Sequence, residues 1–277
     1  MGIINISAGK RLEWLNITFN SSSHNPLSNG ASLYVNGELI TSTVVPDDVT
    51  ELKPYVFNGY KQLKSLVIGS GVVAISPYAL QGTDIEVLLV SNNNKKYDSR
   101  DNCNAIVETD SNTLIYGSVS GNIPDSVTAI SSTAFTGRGV ISITIPSGVT
   151  SIENSTFEGL QNLEEVLFST DSLLTYVGSS VFQNCPLLKT VSFPENSTFT
   201  IGSRTFASCN SLESINIPAG VKSLGGQSFN YCKKLTTVNF SENSQLTKLE
   251  QYMFEGCTSL KQFYCDLSSL ADGSKIF

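Results

Sequence analysis

The sequence predicts a strand-rich repeat solenoid of the α/β type, in which short coils stack and share one core. A motif of roughly 23 residues recurs, and its phenylalanines lie 22 to 25 residues apart from Phe135 to Phe254. Hydrophobic residues make up 40% of the 277-residue chain, which is enough for a core, and charged residues only 15%. Self-similarity at a fixed period is the signature of stacked repeats, because a single coil cannot bury its own apolar face.

Each coil begins with a short predicted strand. In one copy, Leu212, Ile215 and Ile217 are predicted to point inward, while Ser214 and Asn216 alternate with them and point outward. This follows because successive side chains of a strand face opposite sides of the sheet. The strands of successive coils are then expected to pair in parallel, about 4.8 Å apart.

The rest of the coil returns the chain to the next strand. Pro218 ends the strand, since proline has no N–H for a ladder, and Val221 and Leu224 form a second apolar row. Phe229 closes the coil as one ring of an aromatic stack. The same frame starts at Leu63, Val140, Leu163, Leu188 and Leu235. A period near 23 lies within the range of roughly 20–29 residues that is typical of leucine-rich repeats. This resemblance to leucine-rich repeats implies a right-handed superhelix with a parallel sheet.

Two predicted hairpins are inserted into this period. One spans residues 105–116, and the other spans residues 31–40, where Asn36-Gly37 supplies the positive φ angles of a type I′ turn. Before the first hairpin, Leu12, Leu15 and Ile17 imitate a leading strand, so the stack is expected to begin around Trp14. We therefore expect one domain, residues 1–277. Its parts are an irregular N-terminal coil and hairpin (1–38), repeats (39–83), a repeat with an inserted hairpin (84–122), regular repeats (123–265) and a tail (266–277).

Composition excludes several classes of function. Acidic residues exceed basic ones by seven and no basic cluster occurs, so neither nucleic acid nor anionic lipid is an expected partner. No apolar run approaches the roughly 18–20 residues of a membrane span, so no direct membrane insertion of this segment is expected. The single histidine, His24, lies in a polar loop and is expected to be solvated. The carboxylate pairs Asp47-Asp48 and Glu164-Glu165 fit a turn and an outward strand position better than a glycosidase site.

The pattern of the six cysteines indicates side chains that pack in the core rather than metal ligands or disulfides. Four of them occupy one slot, three residues after a phenylalanine: Cys185, Cys209, Cys232 and Cys257. Zinc sites use close pairs of cysteines, so we expect no metal and no cofactor, and a column of small buried thiols instead. Disulfides along the column are the alternative, but a coil spacing of about 4.8 Å exceeds the ~3.8 Å between the Cβ atoms of a disulfide. Cys103 and Cys265 lie outside the column.

The frame Leu-x-x-Ile-x-Ile-Pro, followed by Val-x-x-Leu and Phe-x-x-Cys, resembles the BspA-type leucine-rich repeat of bacterial surface proteins over roughly residues 12–265. The segment from Tyr97 to Ile106 also resembles segments common in that family. The resemblance implies a secreted or surface-attached protein of host-associated bacteria, with adhesion or protein binding as its function and no catalytic residues. Thr43 departs from the pattern at an apolar strand position, and Leu80 departs at the aromatic position.

The outward strand positions are the expected binding face, because a solenoid presents its strands as one extended surface. The candidate contact residues are Val67, Val87, Leu89, Thr190, Ser192, Ser214, Asn216, Thr237, Asn239 and Tyr264. The face is apolar around Val87 and Leu89 and polar toward Tyr264. Either the apolar part marks a partner site, or the hairpin of residues 105–116 covers it.

The sequence thus favours a non-enzymatic binding or adhesion module. The expected partner is a protein, such as host extracellular matrix or another cell-surface protein, or a glycan. The alternative is a structural spacer, or a fragment of a longer repeat protein that displays other domains. An enzyme is not expected, because no catalytic constellation is present. An extracellular or cell-surface location follows from the resemblance alone, because the first residues lack the features of a secretory signal.

Overall fold

A computed structural model describes residues 2–7, 11–119, 122–132, 134–135 and 139–264. The chain divides into two compact units, residues 1–122 and 123–277, and the boundary in the sequence falls where the regular repeats are predicted to begin. Unit 1 and unit 2 are described separately below. That the whole chain forms one domain stays a prediction.

Unit 1 contains eleven strands and one short α-helix in its described part. They are β1 (Ile3–Ile6), α1 (Arg11–Leu15), β2 (Ser32–Val35), β3 (Glu38–Leu39), β4 (Ser42–Val44), β5 (Glu51–Leu52), β6 (Ser65–Ile68), β7 (Ala74–Ile75), β8 (Val87–Val90), β9 (Tyr97–Asp98), β10 (Ala105–Glu108) and β11 (Thr113–Gly117). Single turns of 3-10 helix span Ser22–His24, Pro26–Asn29 and Arg100–Asn102. The strands β4, β6 and β8 pair in parallel as the predicted coil strands, and β5 pairs with β7 on the return path.

The N-terminal segment differs from the prediction. Residues 11–15 form α1, so the expected leading strand at Leu12, Leu15 and Ile17 is wrong. Arginine, leucine and glutamate favour helix, and the apolar spacing fits a helix turn as well as a strand. Trp14 is nevertheless buried, and its Nε1 donates to the Val56 carbonyl at 3.2 Å. The sequence analysis missed β1, which pairs in parallel with β2.

Both predicted hairpins are confirmed. The strands β2 and β3 pair antiparallel around Asn36 and Gly37, which have φ angles of 53° and 81°. The strands β10 and β11 also pair antiparallel, and β9 adds a third antiparallel strand to β10. The sequence pattern therefore located these insertions correctly.

Unit 2 repeats one coil plan from strand to strand. Its strands are β12 (Ala129–Ile130), β13 (Ser142–Ile145), β14 (Ser151–Ile152), β15 (Glu165–Phe168), β16 (Tyr176–Val177), β17 (Thr190–Ser192), β18 (Phe199–Ile201), β19 (Ser214–Ile217), β20 (Val221–Leu224), β21 (Thr237–Phe240) and β22 (Gln262–Tyr264). The return strands β12, β14, β16, β18 and β20 form one continuous parallel ladder. The coil strands form two parallel sheets, β13-β15-β17 and β19-β21-β22, where one sheet was expected.

The predicted aromatic stack runs through the core of unit 2. Successive rings from Phe135 to Phe254 lie 5.3 to 5.6 Å apart, and most are nearly parallel. All the rings are buried. The strand predictions also hold, since Leu212, Ile215 and Ile217 are buried while Ser214 and Asn216 are exposed.

The predicted cysteine column is present and its thiols are free. Cys185, Cys209 and Cys232 are buried, and Cys257 is half-buried. Each Sγ donates to the carbonyl of the phenylalanine one coil earlier, at 2.9 to 3.2 Å. The sequence analysis expected packing alone and missed these hydrogen bonds. Cys103 is also free and buried, and Cys265 lies outside the described residues.

Candidate binding surface

The outward face of unit 1 carries a patch of aliphatic side chains. Parallel register places Val44 beside Val67 and Val67 beside Leu89, with Val87 on the same face of β8. The exposed fractions are 52% for Val44, 42% for Val87 and 37% for Leu89, while Val67 is half-buried. We call these four residues the apolar row. Exposed apolar patches mark sites of interaction more often than isolated exposed residues do.

The inserted hairpin does not cover the apolar row, because Val87 and Leu89 remain exposed. The loop before β10 closes the free edge of β8 instead. Asn104 Oδ1 accepts a hydrogen bond from the Leu88 N–H at 2.8 Å, and Asn104 Nδ2 donates to the Glu86 carbonyl. One amide side chain thereby occupies backbone groups that a further strand would use. Closing an edge in this way blocks pairing with another chain, while the face of the sheet stays open.

The outward face of unit 2 is polar. Thr190, Ser192, Ser214 and Asn216 are exposed, and Thr237 and Asn239 are half-buried, all at the predicted outward positions. Asn239 Nδ2 donates to Asn216 Oδ1 at 2.9 Å across the paired strands β19 and β21. The backbone of Tyr264 pairs with that of Asn239, whereas its side chain lies outside the described part.

The polar face is interrupted between β17 and β19. In the described part of the chain these two strands belong to different sheets, and an open groove of about 260 Å³ lies between them. Four of the predicted contact residues line the groove, namely Thr190, Ser192, Ser214 and Asn216. The structure therefore brings together residues from two coils that the sequence analysis treated as parts of a continuous surface.

Proline removes one backbone hydrogen bond between these two coils. In three other coils the residue after the coil strand donates its N–H to the preceding coil at 2.8 to 3.0 Å, as Ser91, Ser169 and Ser241 do to the carbonyls of Ile68, Ile145 and Ile217. Pro218 occupies this position after β19 and has no N–H to donate to the Phe193 carbonyl. A proline alone does not open the sheet, because Pro194 holds the same position after β17, which still pairs with β15. The coils remain joined on the return path, where β18 pairs with β20 and Phe206 N–H donates to the Ser228 carbonyl at 2.8 Å. The groove thus opens toward the strand face.

The other chemical candidates have structural roles. Burial raises the pKa of the Cys185 thiol from 9.0 to about 12 and that of Cys257 to about 11, so both stay protonated and unreactive at neutral pH. His24 is exposed, as expected of a loop residue. Hydrogen bonds from Ser70 lower the pKa of Asp47, and Glu164 pairs with Lys189 at 2.7 Å. Among the described residues, no group of three or more histidine, cysteine, aspartate or glutamate side chains could hold a metal ion.

Three features of this surface escaped the sequence analysis. The outward position of Val44 could have been predicted from strand alternation. Val44 follows the inward position of Thr43, just as the outward Val67 follows the inward Leu66. The groove had no sequence signal of its own, since Pro194 holds the same position as Pro218 in a coil whose strand stays paired. The role of Asn104 had no sequence signal, since it depends on where a loop meets a strand edge.

A coil with one inward-facing strand, a return strand and a stacked aromatic turn defines a leucine-rich repeat solenoid. A family model, the BspA type Leucine rich repeat region, matches six copies over residues 15–108, 117–199 and 175–274. The chain therefore belongs to the BspA-type leucine-rich repeat family, whose members are typically bacterial surface proteins. A comparison with curated proteins gives no match.

Solved structures share the fold at low sequence identity. A leucine-rich repeat protein from Eubacterium ventriosum is 20% identical, with a TM-score of 0.61 over 94% of this chain and 85% of that one. A leucine rich cell surface protein from Faecalibacterium prausnitzii is 22% identical, with a TM-score of 0.55 over 88% of this chain. The pneumococcal vaccine antigen PcpA is 17% identical, with a TM-score of 0.55 over 84% of this chain. This chain spans 64% of the Faecalibacterium protein and 62% of PcpA.

In the described part of the chain, no helix is both long and apolar enough to cross a membrane.

Proposed function

We propose that this chain is a non-enzymatic binding or adhesion module of a bacterial cell-surface or secreted protein, and that its strand face recognises the partner. The partner is a protein of the surroundings, either host extracellular matrix or another cell-surface protein, and it docks on the apolar row. The observation that carries the proposal is the exposure of neighbouring aliphatic side chains on three paired strands.

The strands that carry the apolar row are held in place by the core on the other side of the sheet. Leu66, Ile68 and Leu88 alternate with the exposed residues and are fully buried, which fixes the strands. Binding energy in protein interfaces concentrates in a few central side chains that lose contact with water. Preformed rows of Val and Leu lose little conformational entropy on binding, because their strand backbone is already ordered.

Charged substitutions on the apolar row test the proposal. Val44→Asp combined with Leu89→Asp places two carboxylates in the docking surface. Binding to a panel of immobilised matrix proteins and bacterial surface proteins is measured by surface plasmon resonance. We expect the affinity for any captured protein to fall by at least about 30-fold, which corresponds to roughly 2 kcal/mol at a central contact.

Leu167→Asp is the matched control. Leu167 is also an outward leucine of a parallel strand, with 36% exposure, but it lies in unit 2. The control should keep full affinity, and circular dichroism should show all variants folded. Equal loss of binding in the control, or unchanged binding in the double variant, would reject the apolar row as the docking surface. Unchanged binding would favour the spacer hypothesis, in which the repeats only display other domains.

The absence of enzymatic activity is tested in a separate experiment. Burial raises the pKa of the Cys185 thiol to about 12, so this thiol is protonated at neutral pH and is not poised as a nucleophile. Generic ester and glycoside substrates are therefore expected to show no turnover above buffer.

A further inference from the structure

The groove between β17 and β19 is lined by polar side chains that could bind a ligand. Thr190, Ser192, Ser214 and Asn216 line it, and these side chains carry three hydroxyls and an amide. Hydroxyls and amides both donate and accept hydrogen bonds. In the described part of the chain, the three hydroxyls have no hydrogen-bond partner, so a ligand can use them without breaking internal contacts.

One wall residue is already oriented. Asn216 Oδ1 accepts the hydrogen bond from Asn239 Nδ2 at 2.9 Å, which fixes the rotamer and the oxygen of the amide. The Nδ2 group of Asn216 is then left as the donor for a ligand. Orientation by a second residue lowers the entropy that binding must overcome.

The inward-facing residues of the two strands also line the groove. Val191, Phe193 and Ile215 are almost fully buried, so they offer a ligand little surface. A ligand that fits must supply several hydrogen-bond donors and acceptors of its own to match the hydroxyls and the amide. A sugar ring does so, because its hydroxyls radiate from the edge of the ring and each both donates and accepts.

The charge and the volume of the groove restrict the class of ligand further. Lys189 and Glu195 also line the groove, but Lys189 is paired with Glu164 at 2.7 Å, so its charge is neutralised. The net charge of −7 also disfavours anionic ligands. The volume of about 260 Å³ lies just below the ~300–1,000 Å³ of pockets for drug-sized ligands. One sugar ring is a suitable occupant.

We infer that the groove between β17 and β19 is a subsite for one neutral sugar ring of an oligosaccharide, held by Thr190, Ser192, Ser214 and Asn216. The inference rests on the proposed function only in taking the strand face as the binding surface. It names a ligand for unit 2 that is independent of the protein docking on unit 1.

The test is a glycan array of neutral and sulfated or sialylated oligosaccharides, followed by titration calorimetry of the neutral ones that bind. The groove variant combines Thr190→Val, Ser192→Ala and Asn216→Asp. Valine keeps the shape of threonine, and aspartate keeps the acceptor that Asn239 uses. Each lost hydrogen bond is expected to weaken binding about 3- to 10-fold, so the triple variant should lose at least ~30-fold.

The matched control is Ser142→Ala with Thr144→Val, which removes two exposed hydroxyls from the outward face of the paired strand β13. It should bind like the wild type. The inference is overturned if no neutral oligosaccharide binds, if only anionic ones bind, or if the groove variant stays within about twofold of the wild type. It is also overturned if the control loses affinity equally. Val44→Asp with Leu89→Asp should leave glycan binding intact. The glycan proposal and the protein-docking proposal can therefore fail independently of each other.

Discussion

The strand faces of unit 1 and unit 2 differ although the same coil builds both. In unit 1 the strands β4, β6 and β8 form one sheet with aliphatic outward residues, and Asn104 closes its edge. In unit 2 the coil strands form two sheets with mainly Ser, Thr and Asn outward, and a groove lies between β17 and β19. The inward positions must fill a shared core, so they vary little. The outward positions and the residue after the strand carry no such restriction, and they give each unit its own surface.

The largest expected difference between the units appears at alkaline pH. Unit 2 holds three buried thiols of the cysteine column, whereas unit 1 holds Cys103 among its described residues. Burial raises the pKa of these thiols, that of Cys185 to about 12, while thiols of the unfolded chain titrate near 9.0. Between about pH 9 and 12 the unfolded chain therefore binds fewer protons than the native protein, and stability falls as pH rises.

Urea unfolding followed by circular dichroism at pH 8 and pH 10.5 measures this loss. The variant with Cys185, Cys209 and Cys232 all changed to alanine should start less stable but lose less between the two pH values. Tyrosine ionisation affects both proteins alike, so the difference between their slopes isolates the thiols. Equal slopes would mean that the column does not control alkaline stability.

The next largest effect is expected in the aromatic stack. Phe206 is fully buried between Phe182 and Phe229, so Phe206→Ala should lower the free energy of unfolding of unit 2 by about 3–5 kcal/mol. Hydrogen exchange should show the lost protection within unit 2. Phe206→Leu, which imitates Leu80 of unit 1, should cost less because most of the buried area remains. A larger cost for leucine than for alanine would contradict the packing argument.

The smallest of these effects concerns the closed edge of unit 1. Asn104→Gly removes two side-chain hydrogen bonds to backbone and keeps the positive φ of 56° accessible. We expect a loss of about 1–3 kcal/mol, and new self-association through the opened edge of β8. Size-exclusion chromatography with light scattering detects the association. Asn243→Gly, at an exposed residue with a φ of 60°, should stay unaffected, and association in both variants would point to another cause.

Predictions from the sequence were reliable where the same residue type recurs at the same position of successive coils. The aromatic stack, the cysteine column and the alternation of Ile215 with Asn216 were all predicted, because period and alternation are set locally. The Asn36-Gly37 hairpin was found for the same reason, since its turn chemistry is contained in two residues. Prediction failed at residues 11–15, where a single short apolar pattern fits both a helix turn and a strand and no second copy exists for comparison.

The sequence by itself determined the coil and the family of this protein, because burial repeated at a period near 23 residues leaves few ways to fold. It also determined which side chains face outward and that most of them are uncharged. Only the tertiary structure decided which of them meet. The opening between β17 and β19 depends on hydrogen bonds between residues more than 20 positions apart, and the closed edge at Asn104 depends on a loop reaching a strand. Such contacts arise when coils stack, so no local pattern records them.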